Sequence, residues 1–136
     1  MPPRFAVRKL EEVPRIPSEP GDPAWYPLQH YFGLTAFGIN VYVADADGAD
    51  LLAEHDEAGS NQEEVYLIIA GEATFSIDGE HFDAPAVTVV AVPDPTVRRR
   101  ATAKVAGTTI VAVGGERRAA FQTSWQKHHF EHVPTL

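Results

Sequence analysis

Residues 63–83 read EEVYLIIAGEATFSIDGEHFD and decide the fold of this chain. Short β-prone runs are separated here by Gly71 and by Asp78-Gly79. An Asp-Gly pair between two such runs is a strong hairpin signal, because both residues of a two-residue turn need a positive φ. The run 73–77 alternates apolar and polar side chains, which is typical of a strand with one buried face. The stretch therefore predicts consecutive antiparallel strands.

The same pattern continues on both sides of this stretch, from Gly33 to Gly115. Short β-rich runs alternate with turn signals, and only the stretch 124–132 has a pattern compatible with a helix. Many short strands at close spacing predict an all-β barrel or sandwich. The predicted strands cover residues 34–44, 51–55, 63–70, 73–77, 80–83, 87–92, 97–103 and 108–113.

The N-terminal part has a different composition, since seven of the eleven prolines lie between Pro2 and Pro27. Proline fixes φ and favours an extended path. We expect a short strand at residues 5–10 followed by an extended arm, with a disordered tail as the alternative. The predicted organisation is an arm over residues 1–32, a barrel over 33–115 and an extension over 116–136. The side chains expected to hold the arm on the barrel are Trp25, Tyr26, Tyr31 and Phe32.

Composition excludes several classes of function. The 136 residues fit one domain, and the absence of cysteine excludes disulfides, thiolate zinc sites and iron–sulfur clusters. Eleven basic against 19 acidic residues give a net charge of −8, which argues against nucleic acid as a partner. No apolar run is long enough for a membrane span, and the first residues lack the apolar segment of a signal peptide. We therefore expect a cytoplasmic protein.

Two stretches resemble the conserved motifs of the cupin superfamily. Glu64, six residues and Gly71 match the end of the first motif, which reads glycine, five residues, His-x-His, three or four residues, glutamate, six residues, glycine. Val87–Thr102 resembles the second motif (glycine, five residues, Pro-x-Gly, two residues, histidine, three residues, asparagine), with Pro93 at its proline. The resemblance spans about residues 33–115. It implies a cupin-type double-stranded β-helix, a jelly-roll-like barrel that is often a homodimer with its pocket inside.

The departures from these motifs concern the metal ligands that the resemblance implies. His55-Asp56-Glu57 stands where the family has His-x-His, and Arg98 stands at the histidine of the second motif. A guanidinium has no lone pair to offer a cation. We therefore predict no metal, with Arg98 inside the barrel and paired with Glu64. In the alternative, Arg98 points away and one divalent metal binds at His55, Glu57 and Glu64.

Each candidate pocket residue also has a plainer interpretation. Glu64 can be an edge glutamate in water, and it faces inward only if Tyr66 shares its face. His55 can be a surface histidine, and Gln62 can be a loop residue. Arg98 and Arg100 share one face of their strand and can both be solvated. The predicted pocket residues are His55, Glu57, Gln62, Glu64, Tyr66, Arg98 and Arg100.

Other histidines carry a weaker signal. His81 lies beside the hairpin turn, and we expect it to be exposed. His128 and His132 would lie one turn apart on a helix, a spacing that can chelate zinc or nickel. No core element fixes a third ligand there, so we interpret this cluster as an adventitious site.

These observations predict a metal-free barrel that binds a small polar or anionic ligand, or a non-catalytic dimeric module. The alternative is a metal-dependent cupin enzyme of the isomerase or dioxygenase type, using His55, Glu57 and Glu64. A third interpretation is a purely structural dimer whose barrel interior is filled by side chains. The sequence assigns no catalytic residue, and the expected partners are a small molecule and a second copy of the chain.

Overall fold

The computed structural model describes residues 3–118, 121 and 123–136. Met1, Pro2, Ala119, Ala120 and Gln122, which belong to the predicted arm and extension, lie outside the described residues. Within the described part, nine strands form two antiparallel sheets, which confirms the all-β prediction. The strands are β1 Ala24–Tyr26, β2 Gly38–Val43, β3 Asp50–His55, β4 Gln62–Ala70, β5 Glu72–Ile77, β6 Glu80–Pro85, β7 Thr88–Val92, β8 Arg99–Ala103 and β9 Thr109–Glu116.

The two sheets pack face to face around one core. One sheet has the order β1-β2-β9-β4-β7 and the other has the order β3-β8-β5-β6. Asp78 and Gly79, with φ of 47° and 82°, form the turn between β5 and β6. The hairpin is therefore where the Asp-Gly signal predicts it.

The core occupies one end of the barrel, and polar side chains occupy the other. Tyr66 and Ile68 of β4, with Ile110 beside them on β9, face Phe75 of the other sheet, and all four are at most 1% exposed. The N-terminal end of β4 and the C-terminal end of β3 carry carboxylates and a histidine instead. The alternation of each strand places these polar groups on the same inner face as the core.

The predicted strand at residues 5–10 is wrong. Residues 3–9 form no strand, and a single 3₁₀ turn covers Leu10–Glu12. Phe5 and Val7 are 81% and 76% exposed, so this segment buries no apolar surface that would favour pairing. The arm is instead held by β1, which pairs with β2, and by Val13 and Ala24, both 3% exposed.

Two short helical segments flank strands β2–β9 of the barrel. A short helix, α1, covers Leu28–Phe32 and ends at Gly33 with φ of 67°, so β2 begins at Gly38 rather than at residue 34. Near the C-terminus, only a 3₁₀ turn at Lys127–Phe130 forms within the stretch predicted as possibly helical. No helix among the described residues is long and apolar enough to cross a membrane.

Candidate functional site

His55 ends β3 on the inner face of the barrel, at its polar end. Its Nδ1 lies 2.7 Å from the Ala53 carbonyl oxygen. A carbonyl only accepts, so Nδ1 carries a proton and donates to it. Nε2 lies 3.3 Å from Glu57 Oε1 and 3.8 Å from Glu64 Oε1. The structure thus brings together the histidine and the two glutamates predicted as pocket residues.

Glu57 is positioned by the loop between β3 and β4. Its backbone N–H donates to the Pro95 carbonyl at 2.8 Å, which ties this loop to the chain before β8. Ser60 Oγ donates to Glu57 Oε2 at 2.5 Å, and Asn61 closes the loop with φ of 54°. Because Ser60 occupies Oε2, the other carboxylate oxygen of Glu57 is directed towards His55.

Glu64 lies on the inner face of β4 beside Tyr66, as the alternation predicts. The Tyr66 hydroxyl donates to Glu64 Oε1 at 2.7 Å, and the Glu64 side chain is 12% exposed. Burial and the neighbouring Glu64 raise the pKa of Tyr66 far above its usual range, so this hydroxyl keeps its proton. Gly114 faces Glu64 across the ladder, and a Cβ there would lie 3.1 Å from Glu64 Cγ.

Gln62 is the first residue of β4 and shares the inner face with Glu64. Its Oε1 would lie 3.0 Å from a Cβ at Gly114, so a glycine there gives room to both polar side chains. The interpretation of Gln62 as a loop residue is therefore wrong, since it belongs to β4.

The placement of the arginines in the predicted pocket needs correction. Arg98 is 54% exposed, with Glu54 and Asp56 each 3.7 Å from its guanidinium. Arg100 is also exposed, and its Nη2 donates to Asp50 Oδ1 at 2.8 Å. Arg98 and Arg100 therefore lie outside the barrel.

The inward arginine is Arg99, which pairs with His55 across β3 and β8. The turn at Asp94, where the Val97 N–H donates to the Asp94 carbonyl at 3.2 Å, precedes β8. Counting the second cupin motif residue by residue through this turn assigns its histidine position to Arg98, one residue before the position that faces inward. A shift of one residue moves every side chain of a strand to the opposite face.

Arg99 is completely buried. None of its three guanidinium nitrogens has a hydrogen-bond partner among the residues that the structure describes, and no carboxylate there lies within 4.0 Å. Its positive charge still counteracts part of the rise in the pKa of Tyr66, so it acts on the same site. An unpaired buried charge costs several kcal/mol, which makes this residue the least satisfied group of the described barrel.

Besides Arg99, the sequence analysis missed Tyr42 and Asn40 of β2 as residues of the site. Tyr42 lies on the inner face of β2, and burial together with Glu64 and Glu57 raises its pKa to about 12. Trp25 Nε1 donates to Asn40 Oδ1 at 2.9 Å, at the edge of the same face. The alternation of Asn40 and Tyr42 in β2 was the available signal, because both share a face with inward residues of β9.

His55, Glu57 and Glu64 could hold a metal ion, since one ligand atom of each lies within 4.8 Å of the others. They form the one such group of three found in the described part of the chain. Ligands bound to one ion at about 2.1 Å are about 3.0 to 3.4 Å apart, close to the 3.3 Å and 3.8 Å seen here. Each ligand also has an outer partner that orients it. A divalent ion would supply a Lewis acid at this position.

The other histidines do not join this group. His81 is exposed, as predicted. His128 and His129 stack with ring centroids 4.1 Å apart in the exposed 3₁₀ turn near the C-terminus. The helical spacing of His128 and His132 does not apply there, because an α-helix does not form.

A groove of about 830 Å³ lies mainly on the outer face of β4 and β9. Val65 and Val113 form its floor, and Phe37, Arg117 and Phe121 contribute to its walls. Glu64 touches the groove, whereas His55 and Arg99 do not line it. The groove therefore shares Glu64 and Gly114 with the inward-facing polar cluster and otherwise lies outside it.

Comparison with solved structures identifies proteins of similar architecture. The structure aligns with a sugar phosphate isomerase of the cupin superfamily from Silicibacter pomeroyi at a TM-score of 0.67 and 19% identity, over 82% of this chain and 76% of that one. It aligns with a cupin protein from Bacteroides fragilis at 0.64 and 17%, over 92% and 98%. It aligns with KdgF from a Halomonas species at 0.64 and 16%, over 79% and 92%.

No protein-family model matches the sequence, and no curated protein is significantly similar to it. Identities this low establish the fold and leave the activity open. The strand order, the hairpin register and these structural similarities agree with one another. The chain adopts the cupin fold, an all-β, jelly-roll-like barrel.

Proposed function

We propose that this barrel binds a small anionic molecule without a metal, and that Arg99 receives the anionic group. The observation that carries the proposal is the complete burial of Arg99 with no hydrogen-bond partner for its three nitrogens in the described structure. A guanidinium presents a planar set of donors that matches carboxylate or phosphate oxygens. An anionic ligand would supply both the missing acceptors and the missing negative charge.

The polar cluster beside Arg99 gives the ligand a second contact. Arg99 is the cross-strand partner of His55, and such pairs have Cβ atoms about 4.5 to 5.5 Å apart. The side chains of His55, Glu57 and Glu64 are 36%, 21% and 12% exposed, so His55 is the member of the cluster most accessible to solvent. This order supports approach of a ligand from the side of His55.

Thermal shift with a panel of anions tests the proposal. Chelator-treated protein would be titrated with phosphate, sulfate, acetate and glucose 6-phosphate, comparing wild type with Arg99→Met and Arg98→Met. We expect at least one anion to raise Tm saturably in wild type and Arg98→Met, and to have no effect in Arg99→Met. Equal shifts in all three proteins, or no shift with any anion, would contradict the proposal.

Among the similar structures is a sugar phosphate isomerase, whose named substrate class carries a phosphate. A phosphorylated small molecule is therefore one class of anion that the proposal includes. The inclusion of glucose 6-phosphate beside inorganic phosphate separates recognition of the whole molecule from recognition of the anion alone.

The second candidate function is a metal-dependent enzyme. The observation that favours it is the set of outer contacts, from Ala53, Ser60 and Tyr66, that orient all three possible ligands. Against it stands the buried cation of Arg99, which would repel a second cation.

Replacement of Arg99 by histidine separates the two candidates. If Arg99 takes the place of a metal, Arg99→His should create a fourth ligand opposite His55 and raise the affinity for Zn²⁺ or Mn²⁺ at least tenfold. Arg98→His, one position away on the outer face, should not change that affinity. Stoichiometric metal binding by the wild type, unchanged in Arg99→His, would favour the second candidate.

Assembly as a homodimer and a cytoplasmic location stay predictions. Gel filtration of the full chain at micromolar concentration tests the first. A species of about 15 kDa would contradict it, since one chain has a mass of 14.8 kDa.

A further inference from the structure

We infer that the ligand is a small zwitterion, an amino acid or a close analogue. Its carboxylate would bind Arg99, and its ammonium group would bind Glu57 and Glu64. The inference rests on the proposed function, because it assigns the ligand class of the same site. It adds a second, oppositely charged group to the anion that Arg99 receives.

The distribution of charge in the site supports a ligand with both signs. Arg99 is a buried cation without a partner among the described residues, and Glu57 and Glu64 are two carboxylates within reach of one histidine nitrogen. An anion bound at Arg99 would be repelled by these carboxylates. A positive group on the same ligand, placed between Glu57 and Glu64, converts that repulsion into attraction.

The hydrogen-bonding capacity of the cluster points the same way. Glu57 Oε1 and Glu64 Oε1 are acceptors, and they lie 3.3 Å and 3.8 Å from His55 Nε2. One ligand atom each of His55, Glu57 and Glu64 lies within 4.8 Å of the others. An ammonium group has three donors and no acceptor, so it is complementary to such a set.

The arginine and the carboxylates are neighbours without forming an ion pair. No carboxylate oxygen in the described structure lies within 4.0 Å of the Arg99 guanidinium, although Arg99 and Glu64 both act on Tyr66. A direct ion pair would have satisfied both signs and left nothing for a ligand to supply. A molecule that carries both charges would connect the two groups.

The register supports a short ligand. Arg99 and His55 are cross-strand partners, so the buried cation and the carboxylates beside His55 belong to the same part of the barrel. The probes therefore cover α-, β- and γ-amino acids.

Thermal shift and calorimetry with matched ligands test this inference. The probes are the twenty L-amino acids, β-alanine and 4-aminobutanoate, and every compound that binds is compared with its hydroxy acid and its amine. All titrations use full-length, chelator-treated protein. We expect a zwitterion to raise Tm by about 5 °C at ten times its Kd, and to bind at least tenfold more tightly than either analogue.

Variants assign the two charges separately. Arg99→Met should abolish binding of the amino acid and of the hydroxy acid. Glu64→Gln should remove the preference for the amino acid over the hydroxy acid while keeping binding of the carboxylate measurable. Arg98→Met should behave as wild type, because Arg98 lies on the outer face.

Failure of the inference is distinguishable from failure of the proposed function. Phosphate or a carboxylic acid that binds through Arg99 as tightly as any amino acid would refute the zwitterion and leave anion binding intact. Absence of any Arg99-dependent ligand would refute both. Tight binding of Zn²⁺ or Mn²⁺ alone, lost in Glu64→Gln and unaffected by amino acids, would assign the carboxylates to a metal and overturn the inference.

Discussion

Arg99→Met should raise the stability of the ligand-free protein while abolishing anion binding. Arg99 is 0% exposed, and its three nitrogens are without partners among the described residues. Replacement of buried ionic groups by apolar side chains is commonly neutral or stabilising by about 1 to 4 kcal/mol. The attraction between Arg99 and Asp94 offsets part of this gain, since Arg99 contributes, after the bonds from Thr96, to the lowered pKa of that carboxyl. We therefore expect an increase of about 1 to 2 kcal/mol in the free energy of unfolding.

Urea denaturation and thermal unfolding measure this effect. For a chain of this size, 1 kcal/mol corresponds to roughly 3 to 4 °C in Tm, so the variant should melt about 3 to 8 °C higher than wild type. Arg98→Met is the matched control, because an exposed ion pair contributes less than about 1 kcal/mol. A loss of more than about 2 kcal/mol in Arg99→Met, with anion binding unchanged, would refute the reasoning and make Arg99 a structural residue.

Three further predictions follow from single contacts. Tyr66→Phe should lower the free energy of unfolding by about 1.5 to 3 kcal/mol, because it removes the 2.7 Å hydrogen bond to Glu64; a change below about 0.5 kcal/mol in urea would contradict this. Gly71→Ala should cost more than about 2 kcal/mol, since φ is 71° and the new Cβ would lie 2.7 Å from a backbone atom. At Gly79, φ is 82° and a new Cβ would meet open space, so Gly79→Ala should lower the free energy of unfolding by about 1 to 2 kcal/mol. Equal losses in Gly71→Ala and Gly79→Ala would refute the steric argument. The pKa of Tyr42 is raised from 10.0 to about 12, so this tyrosine ionises at a lower pH in the unfolded chain than in the folded one. The free energy of unfolding should therefore fall by about 1 kcal/mol between pH 10 and 11. Tyr42→Phe should reduce that fall, and an unchanged pH profile would contradict the prediction.

Much of the barrel could be predicted from local sequence. Asp78-Gly79 fixes a hairpin because few residues tolerate two successive positive φ angles. Residues 73–77 show their buried face by simple alternation, and the structure buries Ala73 and Phe75 completely. The strand predicted at residues 5–10 could not be judged in this way. Its local pattern does not show whether a neighbouring strand is available to pair with it.

The site was predictable where the motif spacing is short. Glu64 and Tyr66 are two residues apart in β4, so their shared inner face follows from the geometry of a strand. His55 and Glu57 are adjacent to the start of the loop that leads to Glu64. These residues needed no knowledge of the tertiary structure beyond the strand order.

Arg99 and the outer contacts of the site were beyond that reasoning. Because residues 98–100 are all arginine, residue type does not indicate which of them faces inward. The length of the turn at Asp94 decides it. The bond from Ser60 to Glu57 depends on a left-handed residue at Asn61. Tyr42 reaches the site from a strand that is distant in sequence, so its role depends on the sheet order.

The most direct test of the central claim is the metal content of tag-free protein, measured by elemental analysis before and after mild chelation. If Arg99 supplies the positive charge of the site, metal should be well below one ion per chain, and chelation should leave Tm unchanged. Near-stoichiometric iron, manganese, nickel or zinc, lost together with thermal stability, would contradict the account and make a metal-dependent enzyme the leading interpretation.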